Sequence, residues 1–220
     1  MSDTSTETAR HNMVEQQVRP WDVLDDNVLN LLADVPREEY VPAGYQNIAF
    51  GDLGIPLDFD EVMMSPKLEA RMLQALAINL SETVLEIGTG SGFVTTLLAK
   101  SARHVYSVDI QEEFINRVRA KLDEEGIINV TLEQGNAAQG WPQHGPYDVI
   151  AVTGSFPILP DALQQSLTVG GRMFVIVGDS PVMEAELITR LSETEFRTDR
   201  LFETDLPPLR NCRQPDRFVL

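Results

Sequence analysis

The stretch Val84-Leu85-Glu86-Ile87-Gly88-Thr89-Gly90-Ser91-Gly92 decides how the rest of the chain is read. A short apolar, β-friendly run enters it and three glycines alternate through the turn. A helical pattern follows over residues 93–101. Strand, glycine turn and helix together let an α/β sheet offer backbone N–H groups and a close approach to a small ligand. The next apolar strand, His104-Val105-Tyr106-Ser107-Val108-Asp109, ends in a carboxylate. A carboxylate at the tip of the neighbouring strand is where such sheets receive ribose hydroxyls. The stretch therefore predicts a nucleoside-cofactor cradle.

Downstream of Ser81 the pattern alternates. Strands are expected at 83–87, 104–108, 128–133, 147–153 and 171–177, with helices near 92–100, 111–124 and 159–167. That alternation implies an α/β fold with a doubly wound, mostly parallel sheet and helices on both faces. Residues 183–191, 196–203 and 217–220 read as strands with hairpin-length connections, so antiparallel strands close one edge.

Upstream, Pro66 starts a helix over 66–78, with Ser65 at its N-cap and Leu68, Met72, Leu73, Leu76 and Ala77 on the buried face. Residues 1–8 are expected to fray. A helix follows over 9–18 and Pro20 stops it. A second helix is capped by Asp22 or Asp25 and carries Val28, Leu29, Leu31 and Leu32 on its apolar stripe. A short turn covers 36–40, and 41–60 reads as loops. The expected organisation is one domain over 1–220. Residues 1–65 form a helical lead-in, 66–180 the cofactor-binding core and 181–220 the edge strands.

Composition narrows the function. The 220 residues suffice for one full core. The net charge of −17 argues against nucleic-acid binding by bulk electrostatics. No apolar run approaches the roughly 20 residues that span a bilayer. The polar N-terminus lacks the apolar centre of a signal peptide. A single cysteine, Cys212, excludes an internal disulfide framework. These features point to the cytoplasm. His11, His104 and His144 are scattered, and nothing pairs them with carboxylates at metal-ligand spacing, so no metal is expected. Trp21 and Trp141 read as packing residues at element ends.

The glycine spacing selects the cofactor. A dinucleotide fingerprint G-x-G-x-x-G counted from Gly88 would end on Phe93, so it fails. The spacing present is G-x-G-x-G with Glu86 two residues ahead, the pattern of S-adenosylmethionine-dependent methyltransferases with a Rossmann-like fold. That cofactor has no pyrophosphate. The turn Gly88, Thr89, Gly90, Ser91 and Gly92 then serves its amino-acid end and sulfonium by close backbone approach. Asp109 offers two acceptor oxygens to two vicinal hydroxyls. Ile110 packs on the adenine, and Asn136 and Ala137 stand at the adenine edge, where Asn136 is otherwise an ordinary turn residue. Glu86, two residues ahead of the turn, and Thr153, at the end of a later strand, complete the expected cofactor contacts.

With these residues assembled, the chain resembles the protein-L-isoaspartate O-methyltransferase family over nearly its full length. The lead-in Met13-Val14-Glu15-Gln16-Gln17-Val18-Arg19 and the segment Val35-Pro36-Arg37-Glu38-Glu39-Tyr40-Val41-Pro42 are similar to family signatures. So are Gly135, Gly140-Trp141, Tyr147-Asp148-Val149-Ile150, Gly170-Gly171-Arg172 and Leu206-Pro207-Pro208-Leu209. The resemblance implies methyl transfer from S-adenosylmethionine to the α-carboxylate of isoaspartyl residues in damaged proteins, leaving S-adenosylhomocysteine. The ester then collapses to a succinimide, a route back to normal aspartate.

One segment departs. The family carries G-Q-T-I-S-x-P ahead of the helix that precedes the cradle, with its serine beside the acceptor carboxylate. A gapless alignment sets Asp60-Glu61-Val62-Met63-Met64-Ser65-Pro66 on that motif, so Val62 and Met64 replace the two hydroxyls. Met64 becomes a cofactor-contact candidate. Ser65, one residue late, is the candidate for the catalytic serine, and equally a plain helix cap. A second departure is Asn136-Ala137, where the family usually has Asp-Gly. A polar pocket around Ser65 would favour the isoaspartyl acceptor, and a cavity lined by Met63 and Met64 a different one. A filled site would favour a non-catalytic cofactor-binding module.

Overall fold

A computed structural model describes residues 3–215. Its centre is a seven-stranded sheet. The strands are β3 (Thr83–Ile87), β4 (His104–Asp109), β5 (Val130–Gln134), β6 (Tyr147–Phe156), β7 (Leu167–Asp179), β8 (Val182–Arg190) and β9 (Phe196–Thr204). Their order across the sheet is β5-β4-β3-β6-β7-β8-β9. The first five run parallel, and β8 and β9 pair antiparallel at the edge. The connecting helices are α4 (Phe93–Ser101), α5 (Glu112–Glu124) and the short α6 (Asp161–Gln165). The expected α/β sheet is present with its antiparallel edge. The strand-like run at 217–220 lies outside the described residues.

Alternating side chains give the sheet two apolar faces, as the two-residue period of a strand requires. Val84, Val105, Val149, Ala151, Phe174 and Ile176 pack on one side. Leu85, Val108, Ile150, Val152, Met173 and Val175 pack on the other. Helices α1 (Asp3–Met13), α2 (Asp26–Asp34) and α3 (Pro66–Leu76) add to the first side. Met13, Val18, Leu32 and Tyr40 of the lead-in share one buried cluster with Leu68, Met72, Phe93 and Leu97.

Several local expectations are corrected. Residues 3–8 are helical, the start of α1, and the chain continues as a π-helical turn over Val14–Val18 before the Pro20 turn. Asp25 caps α2, its side chain accepting from the Asn27 N–H at 2.8 Å, while Asp22 is left-handed. Within 41–60 a two-residue strand β1 (Ile55–Pro56) pairs with β2 (Val62–Met63). Ser65 occupies the N-cap of α3, yet its side chain makes no capping hydrogen bond. Ala77 is exposed and left-handed, because α3 ends at Leu76.

A buried cation fastens the lead-in to the core. Arg37, fully buried, donates to the Ala49 carbonyl at 2.8 Å and the Met64 carbonyl at 2.7 Å, and ion-pairs with Glu69 of α3. Its guanidinium also stands 5.0 Å from the Phe93 ring centroid at the start of α4. Tyr40 adds a second tie, its hydroxyl 2.6 Å from Glu125 and 3.0 Å from Thr96. Removing one member of a buried ion pair leaves the other charged and unpaired, at about 3–5 kcal/mol. Arg37→Ala is therefore expected to lower stability by about that amount in urea unfolding followed by circular dichroism. The double variant Arg37→Met with Glu69→Met is expected to lose less. A single variant within about 1 kcal/mol of the parent would remove the pair from this role.

Candidate active site

Strand order reverses between β3 and β6, since β4 and β5 lie on one side of β3 and the later strands on the other. Open α/β sheets bind ligands at such a switch point, beyond the carboxyl ends of the strands. Ile87 is in register with Val108 of β4 and Val152 of β6, so Gly88, Asp109 and Thr153 emerge side by side. In β6 two extra residues bulge between Ala151 and Ser155 relative to β7. A bulge re-aims side chains, and Thr153 lies within it. Its hydroxyl is 2.9 Å from the Ile87 carbonyl oxygen and 2.6 Å from that of Gly88.

The turn from β3 to α4 needs its glycines. At Gly88 φ is +98°, and a Cβ would fall 2.2 Å from the Thr153 hydroxyl oxygen. At Gly92 φ is +84°, and a Cβ would fall 2.7 Å from Val118 of α5. Positive φ costs an L-residue, and here the space is also taken. The turn is thereby pressed against β6 on one side and α5 on the other.

Asp109 is anchored from both ends. Its Oδ2 accepts from the Gly90 N–H at 2.9 Å and its Oδ1 from the Gln111 N–H at 2.8 Å. Burial pushes its carboxyl upward, while these backbone donors pull the other way. Each oxygen keeps acceptor capacity for one further donor, which suits two vicinal hydroxyls. Asp109, Ile110, Asn136, Ala137, Gly88 and Gly90 all line one cleft of about 710 Å³, counting the part open to solvent. Asn136 is exposed, and its Oδ1 accepts from the Ala138 N–H at 3.0 Å in an Asx-turn, so part of its acceptor capacity is already used.

Glu86 does not line the cleft. It is fully buried beneath the turn, where its Oε2 accepts from the Thr95 hydroxyl at 2.6 Å and the Ser107 hydroxyl at 2.5 Å. The Ser107 hydroxyl in turn lies 2.6 Å from that of Thr89. Glu86 Oε1 has no partner among the described residues. Burial pushes this carboxyl up to about 8, against the pull of Ser107 and Thr95. At neutral pH Glu86 is therefore mostly the protonated acid, bracing the cradle from below.

A second, smaller space of about 290 Å³, counting the part open to solvent, adjoins the cleft, bounded by Gly88, Thr89, Gly90, Ser91 and Thr153 on the cradle side. Val62, Met63, Met64 and Glu69 form its opposite wall. Ser65 is only partly buried and lines neither space. The structure thus brings Met64 to the cradle and leaves Ser65 outside it.

The chain matches the family model "Protein-L-isoaspartate(D-aspartate) O-methyltransferase" over residues 8–213. It is 35% identical over 204 residues to protein-L-isoaspartate O-methyltransferase 2 of Pelobacter propionicus, covering 92% of this chain and 91% of that one. A second relative, from Gloeobacter violaceus, is 38% identical over 182 residues, or 83% of this chain and 88% of that one. The chain belongs to the protein-L-isoaspartate O-methyltransferase family. The fold agrees with a structure from Plasmodium falciparum, described as a putative member in complex with S-adenosyl-L-homocysteine. That match has a TM-score of 0.78 at 20% identity and covers 91% of this chain and 98% of that one.

Against the family signature, the wall at 62–64 presents apolar side chains where hydroxyls were expected from the resemblance. Several further lining residues carry no local sequence signal as site residues. Leu57 and Glu61 come from the loop before β2, Phe114 from α5, Gly154 from the bulge, and Leu206 to Arg210 from the tail. The tail is held by the Ser155 hydroxyl, which donates to the Leu206 carbonyl at 2.7 Å. Leu209 packs where a Cβ on Gly154 would sit, 2.7 Å away. Arg210 reaches Glu61 at 2.5 Å and the Phe59 carbonyl, closing the tail onto the loop. Two of the histidines are less scattered in space than in sequence. His144 lies 2.9 Å from Glu133 and stacks on Tyr106 at 4.1 Å, with His104 on the same ring at 4.7 Å. No group of three or more metal-ligating side chains occurs among the described residues.

The raised Glu86 carboxyl has a measurable sign. The folded state holds its proton above the pH at which the unfolded chain releases it, so this group lowers stability as pH rises from about 4.5 toward 8. Glu86→Gln removes that proton exchange. The melting temperature of Glu86→Gln relative to the parent is expected to rise steadily between those limits in thermal melts. A difference that stays flat with pH would show Glu86 to be ionised throughout.

Proposed function

We propose that the cleft binds S-adenosylmethionine and that the protein transfers its methyl group to the α-carboxylate of isoaspartyl residues in protein or peptide substrates. The observation that carries this reading is the meeting of the glycine turn and Asp109 at the switch point, on a chain of this family. The residues fit the cofactor. Gly88 leaves the space a side chain would fill, Asp109 keeps one acceptor site per oxygen, and Ile110, Ala137 and Phe114 offer apolar surface. The lone, buried Cys212 is in keeping with a reducing compartment such as the cytoplasm.

When bound, S-adenosylmethionine supplies an electrophilic methyl group on a positively charged sulfur. An isoaspartyl carboxylate is already an anion at neutral pH, so the protein needs no general base. Its work is to hold donor and acceptor in line and keep water out. Asp109 fixes the ribose, and the turn from Gly88 to Gly92 fixes the amino-acid end. Thr153, clamped to the Ile87 and Gly88 carbonyls, keeps that turn from shifting. The Arg210–Glu61 contact and Leu57 close over the cleft from the loop and tail.

A second reading keeps the cofactor and changes the acceptor. It is favoured by the Met63 and Met64 wall, which is apolar and adaptable where the family pattern supplies hydroxyls.

Incubation with labelled S-adenosylmethionine and an isoaspartyl peptide is expected to yield a base-labile methyl ester. Measurable cofactor binding without peptide turnover would sink the isoaspartyl acceptor and leave the second reading standing. Asp109→Ala is expected to weaken S-adenosylhomocysteine binding by roughly ten- to a hundredfold in titration calorimetry, as loss of hydrogen bonds to a charged group does. An unchanged affinity would overturn the ribose assignment.

A further inference from the structure

Glu69 is an acidic residue on the buried face of α3, its carboxyl pushed up to about 7 by burial against the pull of Arg37, and the fold leaves half of it unused. It is fully buried, and one oxygen, Oε2, meets the Arg37 guanidinium. The other, Oε1, has no hydrogen-bond partner among the described residues. Glu69 lines the small cavity between the Met64 wall and the cradle, facing Gly88, Thr89, Gly90 and Ser91. A buried carboxylate oxygen without a donor costs free energy that a satisfied one does not. Persistence of the arrangement asks for a donor that arrives from outside the chain.

The surroundings limit what that donor can be. Val62, Met63, Met64 and Val94 make the rest of the wall apolar, so Glu69 is the acidic group available there. Arg37 neutralises one charge and is fixed by the Ala49 and Met64 carbonyls, so it does not turn toward the cavity. A compact cation with several N–H donors fits such a site better than a neutral group. Across the cavity stands the turn that, on the function proposed above, holds the amino-acid end of the cofactor.

We propose that Glu69 Oε1 receives the α-ammonium group of the S-adenosylmethionine amino-acid end, with Arg37 as the positioning residue that holds the carboxylate in place. This rests on the cofactor assignment above and adds to it a specific residue and a specific ligand group. Glu69 reads whether the ligand in this cavity carries a protonated amine, and so distinguishes the intact cofactor from fragments and analogues without one.

The test is a cycle of two proteins and two ligands in titration calorimetry. The ligands are S-adenosylhomocysteine and its deamino analogue, which keeps the carboxylate and lacks the α-amino group. The parent protein is expected to bind the deamino analogue roughly tenfold or more weakly, as loss of a charge-assisted hydrogen bond implies. In Glu69→Gln, Arg37 retains the amide oxygen and the amide nitrogen faces the cavity, a donor set against a donor. That variant is expected to weaken S-adenosylhomocysteine by a similar factor and to bind the two ligands within about twofold of each other. Equal losses for both ligands would make Glu69 a purely structural residue and overturn the inference, as would no loss for either. Should Glu69→Gln fail to fold, Arg37→Met with Glu69→Met removes both charges, and the same ligand ratio decides. A parent protein that binds neither ligand would instead overturn the cofactor assignment, and this inference with it.

Discussion

The structure depends on one buried guanidinium. Arg37 enters from the lead-in and spreads its donors over the Ala49 carbonyl, the Met64 carbonyl and Glu69. A charge this deep is tolerated only when each donor is met, so three separate segments are held at fixed distances from one another. Two of them, Met64 and Glu69, form the wall opposite the glycine turn. The third, Ala49, ends the turn of the lead-in that precedes β1. The lead-in is therefore part of what shapes the site, and its Leu57, Glu61 and Val62 also line the cleft.

The other side of the site is set by the sheet. Parallel pairing in register places Ile87, Val108 and Val152 at one level, so the next residue of each strand arrives at the cleft together. Beneath them Glu86 sits as a mostly neutral acid bonded to Thr95 and Ser107, and Ser107 reaches Thr89 of the turn. A neutral network avoids putting a second full negative charge close to Asp109, whose own burial already pushes its carboxyl upward. Two acids within one strand-end cluster thus sit differently, Glu86 buried with a raised carboxyl and Asp109 lining the cleft.

Legibility followed the range of the forces involved. The cradle and the strands around it were readable because glycine spacing and apolar runs are local, and the β3 limits expected at 83–87 are those found. Asp109 was readable because a strand end lies at a fixed distance from its neighbour. Leu57, Glu61 and the tail from Leu206 to Arg210 were not readable as site residues, since they reach the cleft through tertiary closure. The frayed start expected at 1–8 missed α1, where Arg10 bonds the Ala33 carbonyl and pairs with Glu38, contacts distant in sequence. Glu69 did carry a signal. It stands on the helical face of Met72, Leu73 and Leu76, three, four and seven residues on, and a charge at such a position needs a buried partner.

The wall at 62–64 bears on what the cradle is used for. A carboxylate acceptor brought into an apolar cavity loses hydration, and without hydroxyls to replace it the anion is raised in energy. In the family pattern those hydroxyls orient the acceptor, and here Val62 and Met64 stand in their place with Ser65 turned out of the site. Two consequences compete. Desolvation makes the anion a stronger nucleophile, while loss of orienting donors makes its in-line placement less frequent. Positioning outweighs desolvation in a reaction with no proton to move. An isoaspartyl acceptor must then be oriented by something else near the wall. The Gly88 and Gly90 N–H groups are already bonded to the Val108 carbonyl and Asp109, so the Asn136 side-chain amide and the Arg210 guanidinium at the cleft's edge are the lining groups left to donate. Arg210 is tied to Glu61 and to the Phe59 carbonyl, so recruiting it would open the closure between loop and tail. Acceptor binding and cleft closure would then draw on the same side chain.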